Sequence, residues 1–390
     1  MSFSSSTPTL APPTHPLERT PEEWAAVLGA WGEPKYRGKQ VFQWIHQHGV
    51  FDAEQMTNLP KSLRRKLAEE PLAPPVRALE IHDSTDGTRK MLVGCGDERT
   101  VETVLIPMKS TQPGDGYTPE DDESESNEGE VISSWVTQCI SSQVGCAMGC
   151  VFCASGIAGL KRHLSAAEIV GQVLLGKQHA APGERVRNVV FMGMGEPLHN
   201  YDAVARALTL LCHPEGLGLS KRRVTVSTSG LIPEIDRLGA DFGGQVQLAI
   251  SLHSADGEKR SSIMPINRKY PLAALVEALK RYPLPKRRRI TIEYTLIDGF
   301  NASADDARAL ARLLRGIPMK VNLIPMNGVD DNPLRAPGWD VVEAFQDVLR
   351  SEGVASFVRR RKGDDIAAAC GQLALRGEKK KIRVALPTIG

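Results

Sequence analysis

At 390 residues, 41% of them hydrophobic, the chain has room for one large domain with smaller appendages, and no apolar run nears the roughly 18 residues of a membrane span. Its seven cysteines are odd in number and clustered, which excludes a small disulfide-stapled secreted fold and points to metal or redox chemistry in a reducing cytoplasm. The formal charge of +2 hides an asymmetry: residues 115–130 hold eight carboxylates and no Lys or Arg, so the remainder carries +10.

Residues 1–15 are rich in Ser, Thr and Pro and lack the charged-then-apolar order of a secretory signal. They are expected to form a disordered leader on a cytoplasmic protein. Residues 16–75 read as a small helical module: TPEEWAAVLGAWG with Thr20 as N-cap, then YRGKQVFQWIHQHG, then NLPKSLRRKLAEE. Residues 76–107 switch to short alternating segments, VRALEIHD, TRKMLVG and RTVETVLIP, which predict a β-meander. Residues 108–134 form an acidic low-complexity insertion too polar to pack.

From about residue 135 to 360 strand-like runs alternate with amphipathic helical ones, the pattern of a parallel sheet built from strand-helix units. Strands are expected at 136–142, 188–193, 223–229, 246–253, 290–297 and 320–325. Helices are expected near 165–179, 202–212, 233–239, 271–282, 303–315 and 338–351. Six units are too few to close an eight-fold barrel, so the fold class is α/β with a partial (βα)6 barrel whose active edge lies at the strands' C-terminal ends. Residues 361–390 form a C-terminal segment with Cys370 and a basic tail. Basic runs at 221–223, 286–289, 359–362 and 379–381 are compatible with a polyanionic partner such as RNA, though each alone also reads as a solvated face.

The stretch GCAMGCVFCASG places Cys146, Cys150 and Cys153 at the spacing C-x3-C-x2-C, just after the first strand of the barrel. A closed zinc site needs a fourth ligand, and His163 is the nearest in sequence. A ferredoxin run would need a further Cys before Pro, which is absent. Three thiolates also suit a 4Fe-4S cluster whose fourth iron stays open.

With the strand-helix pattern, this triad resembles the radical S-adenosylmethionine (SAM) superfamily. A finer resemblance, over about residues 16–375, is to the RlmN/Cfr family of RNA adenine methyltransferases. It rests on VETVLIP, QCISSQVGCAMGCVFCASG, NVVFMGMGEPL, LSKRRVTVSTSG, AISLHS, PINRKY, VNLIPMN and RKGDDIAAACGQL. It implies a 4Fe-4S cluster on Cys146, Cys150 and Cys153, and SAM held by Gly195, Glu196, Ser227, Ser251, Leu252, His253 and Asn327. Read alone, several of these are ordinary caps and turn residues. Met326 stands where an aromatic is expected, and Cys95 and Cys212 read as structural.

The resemblance also pairs Cys139 with Cys370, which alone would read as buried apolar thiols. Adenine C2 is an amidine carbon that is not nucleophilic towards a sulfonium methyl, so two SAM molecules per turnover are expected. Cys370 takes a methyl group from the first, helped by the charge of Arg359, Arg360, Arg361 and Lys362. The second yields a 5′-deoxyadenosyl radical that abstracts hydrogen from the S-methyl group, and the resulting carbon adds to C2 as a covalent protein–RNA adduct. Glu102 removes the C2 proton, and Cys139 attacks the Cys370 sulfur to release the RNA and leave a disulfide. The implied partners are 23S rRNA, tRNA and an electron donor such as flavodoxin, with no membrane. The alternatives are a Cfr-type enzyme acting at adenine C8, and a non-enzymatic RNA-binding protein with a zinc or Fe-S site.

Overall fold

The computed structural model describes residues 10, 12–109, 134–328, 332–359 and 362–373. Most of the expected leader, nearly all of the acidic insertion, Arg360, Arg361 and the lysines at 379–381 lie outside them. Among the described residues no helix is long and apolar enough to cross a membrane.

Three helices open the chain: α1 (Pro21–Ala30), α2 (Tyr36–His46) and α3 (Lys61–Ala68). Thr20 caps α1 in a full capping box, its hydroxyl accepting from the Glu23 backbone while the Glu23 carboxylate accepts from the Thr20 N–H at 2.8 Å. Gly38 on α2 packs directly on the α1 backbone, where a Cβ would collide with the Pro21 carbonyl. The module docks on the barrel through buried charge. Glu18 accepts the backbone N–H of Ala167 at 3.0 Å, and Arg206 donates to the Glu18 carbonyl at 2.7 Å and to the Glu23 carboxylate at 2.9 Å.

The meander strands β1 (Val76–Asp83), β2 (Arg89–Cys95) and β3 (Thr100–Lys109) are antiparallel, and β3 pairs antiparallel with β4 (Ser134–Cys139). The meander therefore belongs to the same sheet as the barrel. The β3–β4 register runs from Val104 opposite Cys139 to Lys109 opposite Ser134 with no shift, so the acidic insertion joins two residues that already face each other. A two-stranded ladder, β5 (Gln143–Val144) with β6 (Arg162–His163), then brackets the cysteine loop and its short helix α4 (Ala154–Ala158).

Beyond it, β7 (Val186–Phe191), β8 (Val224–Thr228), β9 (Gln247–Ser251), β10 (Ile290–Leu296), β11 (Met319–Pro325) and β12 (Ser356–Val358) follow in order, each parallel to its neighbour. They alternate with α5 (Ala166–His179), α6 (Tyr201–Leu211), α7 (Ile232–Phe242), α8 (Gly257–Ile263), α9 (Leu272–Arg281), α10 (Ala304–Leu313) and α11 (Trp339–Ser351). The six expected barrel strands are present, with β12 added at the far edge; three residues are too few to show a period. Period two sorts β10: Ile290, Ile292, Tyr294 and Leu296 pack in the core, whereas Glu293 and Thr295 face the active-site cavity.

One buried group gives the helical module a pH dependence. His46 is sealed against Leu17, its Nε2 3.1 Å from the Leu17 carbonyl and its ring stacked on Phe42 at 4.1 Å. Burial pushes its pKa from 6.5 down to about 3. Below 6.5 the unfolded chain takes up a proton that the native ring refuses, so this contribution to stability is present above that value and is lost as pH falls towards 3. The slope approaches about 1.4 kcal/mol per pH unit for one group. Urea midpoints compared at pH 7, 5.5 and 4.5 should therefore fall less steeply for His46→Phe than for the parent chain.

Candidate active site

The cysteine loop is cinched at its neck. Gly145 has φ +75°, and a Cβ there would strike the Gly159 carbonyl, so only glycine lets the two ends of the loop touch. Cys146, Cys150 and Cys153 all face one cavity of about 930 Å³, open mouth included, at the C-terminal ends of the strands. Burial raises every one of these thiols, Cys146 to about 12 and Cys150 well above its ordinary value. Backbone N–H groups of Gly156 and Ser155 point at the Cys153 sulfur and favour its thiolate. Three thiols that converge on one cavity can serve as metal donors once deprotonated.

Among the described residues no three His, Cys, Asp or Glu side chains are gathered tightly enough to hold a single ion. A zinc site would require that, whereas a four-iron cluster spreads its thiolates around a larger body. His163, the possible fourth zinc ligand, lies instead against Gln143 Nε2 at 3.0 Å and the ring of His199 at 5.1 Å, away from the cavity wall. The residues present fit a cluster.

Beside the triad, β7 leads into the turn Gly193–Glu196. Gly195 has φ +104°, and its absent Cβ would lie 2.6 Å from the Gln143 Cβ. Gln143 Oε1 in turn accepts the Glu196 N–H at 2.8 Å. Glu196 is buried, its carboxylate accepting from the backbone of Ser229 at 2.7 Å and of Leu198 at 3.1 Å. Burial raises its pKa while those donors pull it back, the setting of a carboxylate that awaits a cationic partner such as an ammonium.

Ser227, Ser251, His253 and Asn327 face the same cavity. His253 holds left-handed backbone at φ +57°, its Nδ1 accepts the Thr295 N–H at 2.9 Å, and burial lowers its pKa to about 3. The imidazole is neutral and presents Nε2–H. Leu252 does not line the cavity: its N–H donates to the Glu293 carbonyl and its own carbonyl accepts from Arg260. Asn327 donates to the Cys370 carbonyl at 3.0 Å.

A second cavity adjoins the first. Ile106, Met108, Cys139, Arg359 and Lys362 line it, and Met192, Ile324, Asn327 and Cys370 are common to both. Cys370 is exposed to this internal space yet crowded enough that burial raises its thiol; the Arg359 charge lowers it and Glu293 raises it. Cys139 is buried, and its pKa is driven up first by burial and then by Cys370, with Arg359 opposing. All described cysteines are free thiols, Cys95 and Cys212 included.

Glu102 lines neither cavity. The registers Lys90–Val104, Leu92–Glu102 and Val104–Cys139 nevertheless place Lys90, Glu102 and Cys139 on one face of three adjacent strands. Glu102 meets Lys90 Nζ at 3.2 Å.

Two buried residues of this site carried no signal in the sequence. Arg260 donates to the carbonyls of Leu252, Ser229 and Ser251 and to Asn267, tying the ends of β8 and β9 together. Gln143 bears the Glu196 turn. Alternation along ITIEYTL could have placed Glu293 in the lumen with Thr295.

Gly195→Ala would drive a methyl group into Gln143 and displace the Glu196 turn. SAM affinity of the reconstituted protein, measured by equilibrium dialysis, should drop by about tenfold or more, the cost of about 1.4 kcal/mol of misplaced contacts.

Comparison with known proteins agrees with this geometry. The pattern of the Radical SAM superfamily matches residues 140–334, and that of the ribosomal RNA large subunit methyltransferase N-terminal domain matches residues 17–71. A dual-specificity RNA methyltransferase RlmN of Sorangium cellulosum is 58% identical over 96% of this chain and 99% of its own. Another, of Geobacter sulfurreducens, is 47% identical over 90% of this chain and 89% of its own. The crystal structure of a radical SAM methyltransferase from Sphaerobacter thermophilus superposes with a TM-score of 0.81 at 41% identity, covering 93% of this chain and 99% of that one. The chain belongs to the RlmN family of radical SAM RNA methyltransferases.

Proposed function

We propose that this protein methylates C2 of an adenosine in 23S rRNA, and also the adenosine 3′ of the anticodon in tRNA, drawing electrons from a flavodoxin-like donor. One observation carries the reading: Cys370 stands on the wall between the cavity of the cysteine triad and a second cavity lined by Cys139. A thiol so placed faces a methyl donor on one side and a target base on the other. A non-enzymatic RNA-binding protein with a structural metal has no use for that pair. The relatives are named for dual-specificity RNA methylation, which supports C2 chemistry on two RNAs over the Cfr-type C8 alternative.

The triad would hold the 4Fe-4S cluster; Glu196, Ser227, Ser251, His253 and Asn327 would hold SAM. When bound, these groups supply the methyl carbon, a hydrogen-abstracting radical and the one-electron traffic that an unreactive carbon demands. The protein's own residues do the rest. Cys370 loses its proton and becomes the methyl acceptor, its thiolate favoured by Arg359. Its methyl carbon, once activated, bonds to adenine C2 in the second cavity. Glu102 takes the C2 proton. Cys139 then attacks the Cys370 sulfur: the new S–S bond forms as the S–CH2 bond breaks, and the departing carbon keeps that electron pair, gains a proton and becomes the methyl group. The apolar side chains Ile106, Met108 and Met192 suit the faces of a purine taken out of its stack.

Two variants test the assignment. Cys139→Ala should leave enzyme covalently joined to RNA, visible as a shifted band on a denaturing gel, and an RNA-free preparation would count against resolution by that thiol. Arg359→Gln removes the cation that favours the Cys370 thiolate. Incubated with SAM before any RNA is added, it should methylate Cys370 about tenfold more slowly than the parent, as read from the mass of the Cys370 peptide.

A further inference from the structure

Residues 362–373 bridge two distant parts of the molecule. At one end Asp365 accepts from Ser84 Oγ at 2.5 Å and Thr85 N at 3.1 Å, and the Gly363 N–H donates to Asp86 at 3.0 Å, all on the turn between β1 and β2. At the other end Gly371 accepts the Ala154 N–H at 2.8 Å and Leu373 accepts from Ser155 at 2.7 Å, both in the cysteine loop. Between these anchors lies Ala367, a non-glycine residue in left-handed backbone at φ +49° and three positions before Cys370. Its carbonyl accepts from Lys90 Nζ at 3.2 Å. The same ammonium sits 3.2 Å from Glu102 Oε1, and both side chains of that ion pair are mostly covered, at 13% and 12% exposed.

We propose that Lys90 is a positioning residue for the proton-transfer half of the reaction, fixing the Glu102 carboxylate at a set offset from the segment that carries Cys370. The inference rests on the role of Glu102 given above. In the adduct, C2 is bonded through one CH2 group to the Cys370 sulfur, so the Cys370 segment dictates where the C2–H bond lies. A base must meet that bond within hydrogen-bond reach. One ammonium in contact with both partners is a short tether between them. After the adduct has given up one electron, which the cluster held by the cysteine triad would accept, the C2 proton passes to a Glu102 oxygen, while the C–H electron pair stays in the ring and restores its aromaticity. Glu102 then loses its charge. Lys90 keeps the Ala367 carbonyl, so its mostly covered ammonium is not left without an acceptor at that moment.

The test uses full-length reconstituted enzyme with Lys90→Met and Lys90→Arg. With SAM alone, both variants should methylate Cys370 as the parent does, which also reports an intact fold and cluster. With RNA in a single turnover, Lys90→Met should release product about tenfold more slowly, the scale on which misplaced groups cost rate. Covalent protein–RNA adduct should accumulate although Cys139 is present, and Lys90→Arg should recover most of the rate. Unchanged release by Lys90→Met, or a loss matched by an equal loss of Cys370 methylation, overturns the proposal. Glu102→Gln separates the two readings: adduct in Glu102→Gln but not in Lys90→Met removes Lys90 alone, whereas normal turnover by Glu102→Gln removes the base assignment itself and this inference with it.

Discussion

An open sheet cannot by itself set a thiol over a cofactor cavity, and the hydrogen bond from the Ala154 N–H to the Gly371 carbonyl is where this molecule meets that constraint. It fastens the end of the described chain to the loop of the triad, one residue from Cys370. Asn327 adds a bond to the Cys370 carbonyl and Gln372 one to the Gly328 carbonyl, so the exit of β11, the cysteine loop and Cys370 form one unit. Every role assigned to Cys370 presumes that docking. The β1–β2 turn supplies the opposite anchor, which gives the antiparallel meander a purpose beyond extending the sheet.

Burial raises both thiols of the second cavity, and a Cys370 thiolate would raise Cys139 further. Arg359 favours both thiolates, but Cys370 also faces cavity space where a methyl donor fits. In the proposed scheme a methylated Cys370 is a neutral thioether, so the pull of Arg359 then acts on Cys139 with no competing Cys370 thiolate.

The barrel could be read from the sequence because its signals are local. Period two in ITIEYTL, amphipathic helices bounded by Gly, Pro and Ser, and the C-x3-C-x2-C loop each declare themselves within a dozen residues. The unread parts are contacts between remote segments. Asp365 lies 281 residues from Ser84 and Lys90 lies 277 from Ala367, and no short pattern encodes such a pairing. Arg260, a cation in GEKRSS, is fully buried because three carbonyls at the ends of β8 and β9 converge on it. Leu252, expected among the cofactor contacts, has its side chain on the other side. Its neighbours at the end of β9 face the cavity, and alternation turns its side chain into the core behind them.

The unbroken register between β3 and β4 has a consequence for how such a chain can change. Lys109 and Ser134 are cross-strand partners, so whatever joins them needs only to span the width of one ladder, about 5 Å. Each doubling of such a connection adds only about 0.6 kcal/mol of closure entropy. Length and composition can drift there almost without cost, while Glu102 and Cys139 keep their rungs. The connection between Lys109 and Ser134 is also a natural port for an engineered graft, such as an affinity handle or a fluorophore, separated from Cys139 by six paired rungs.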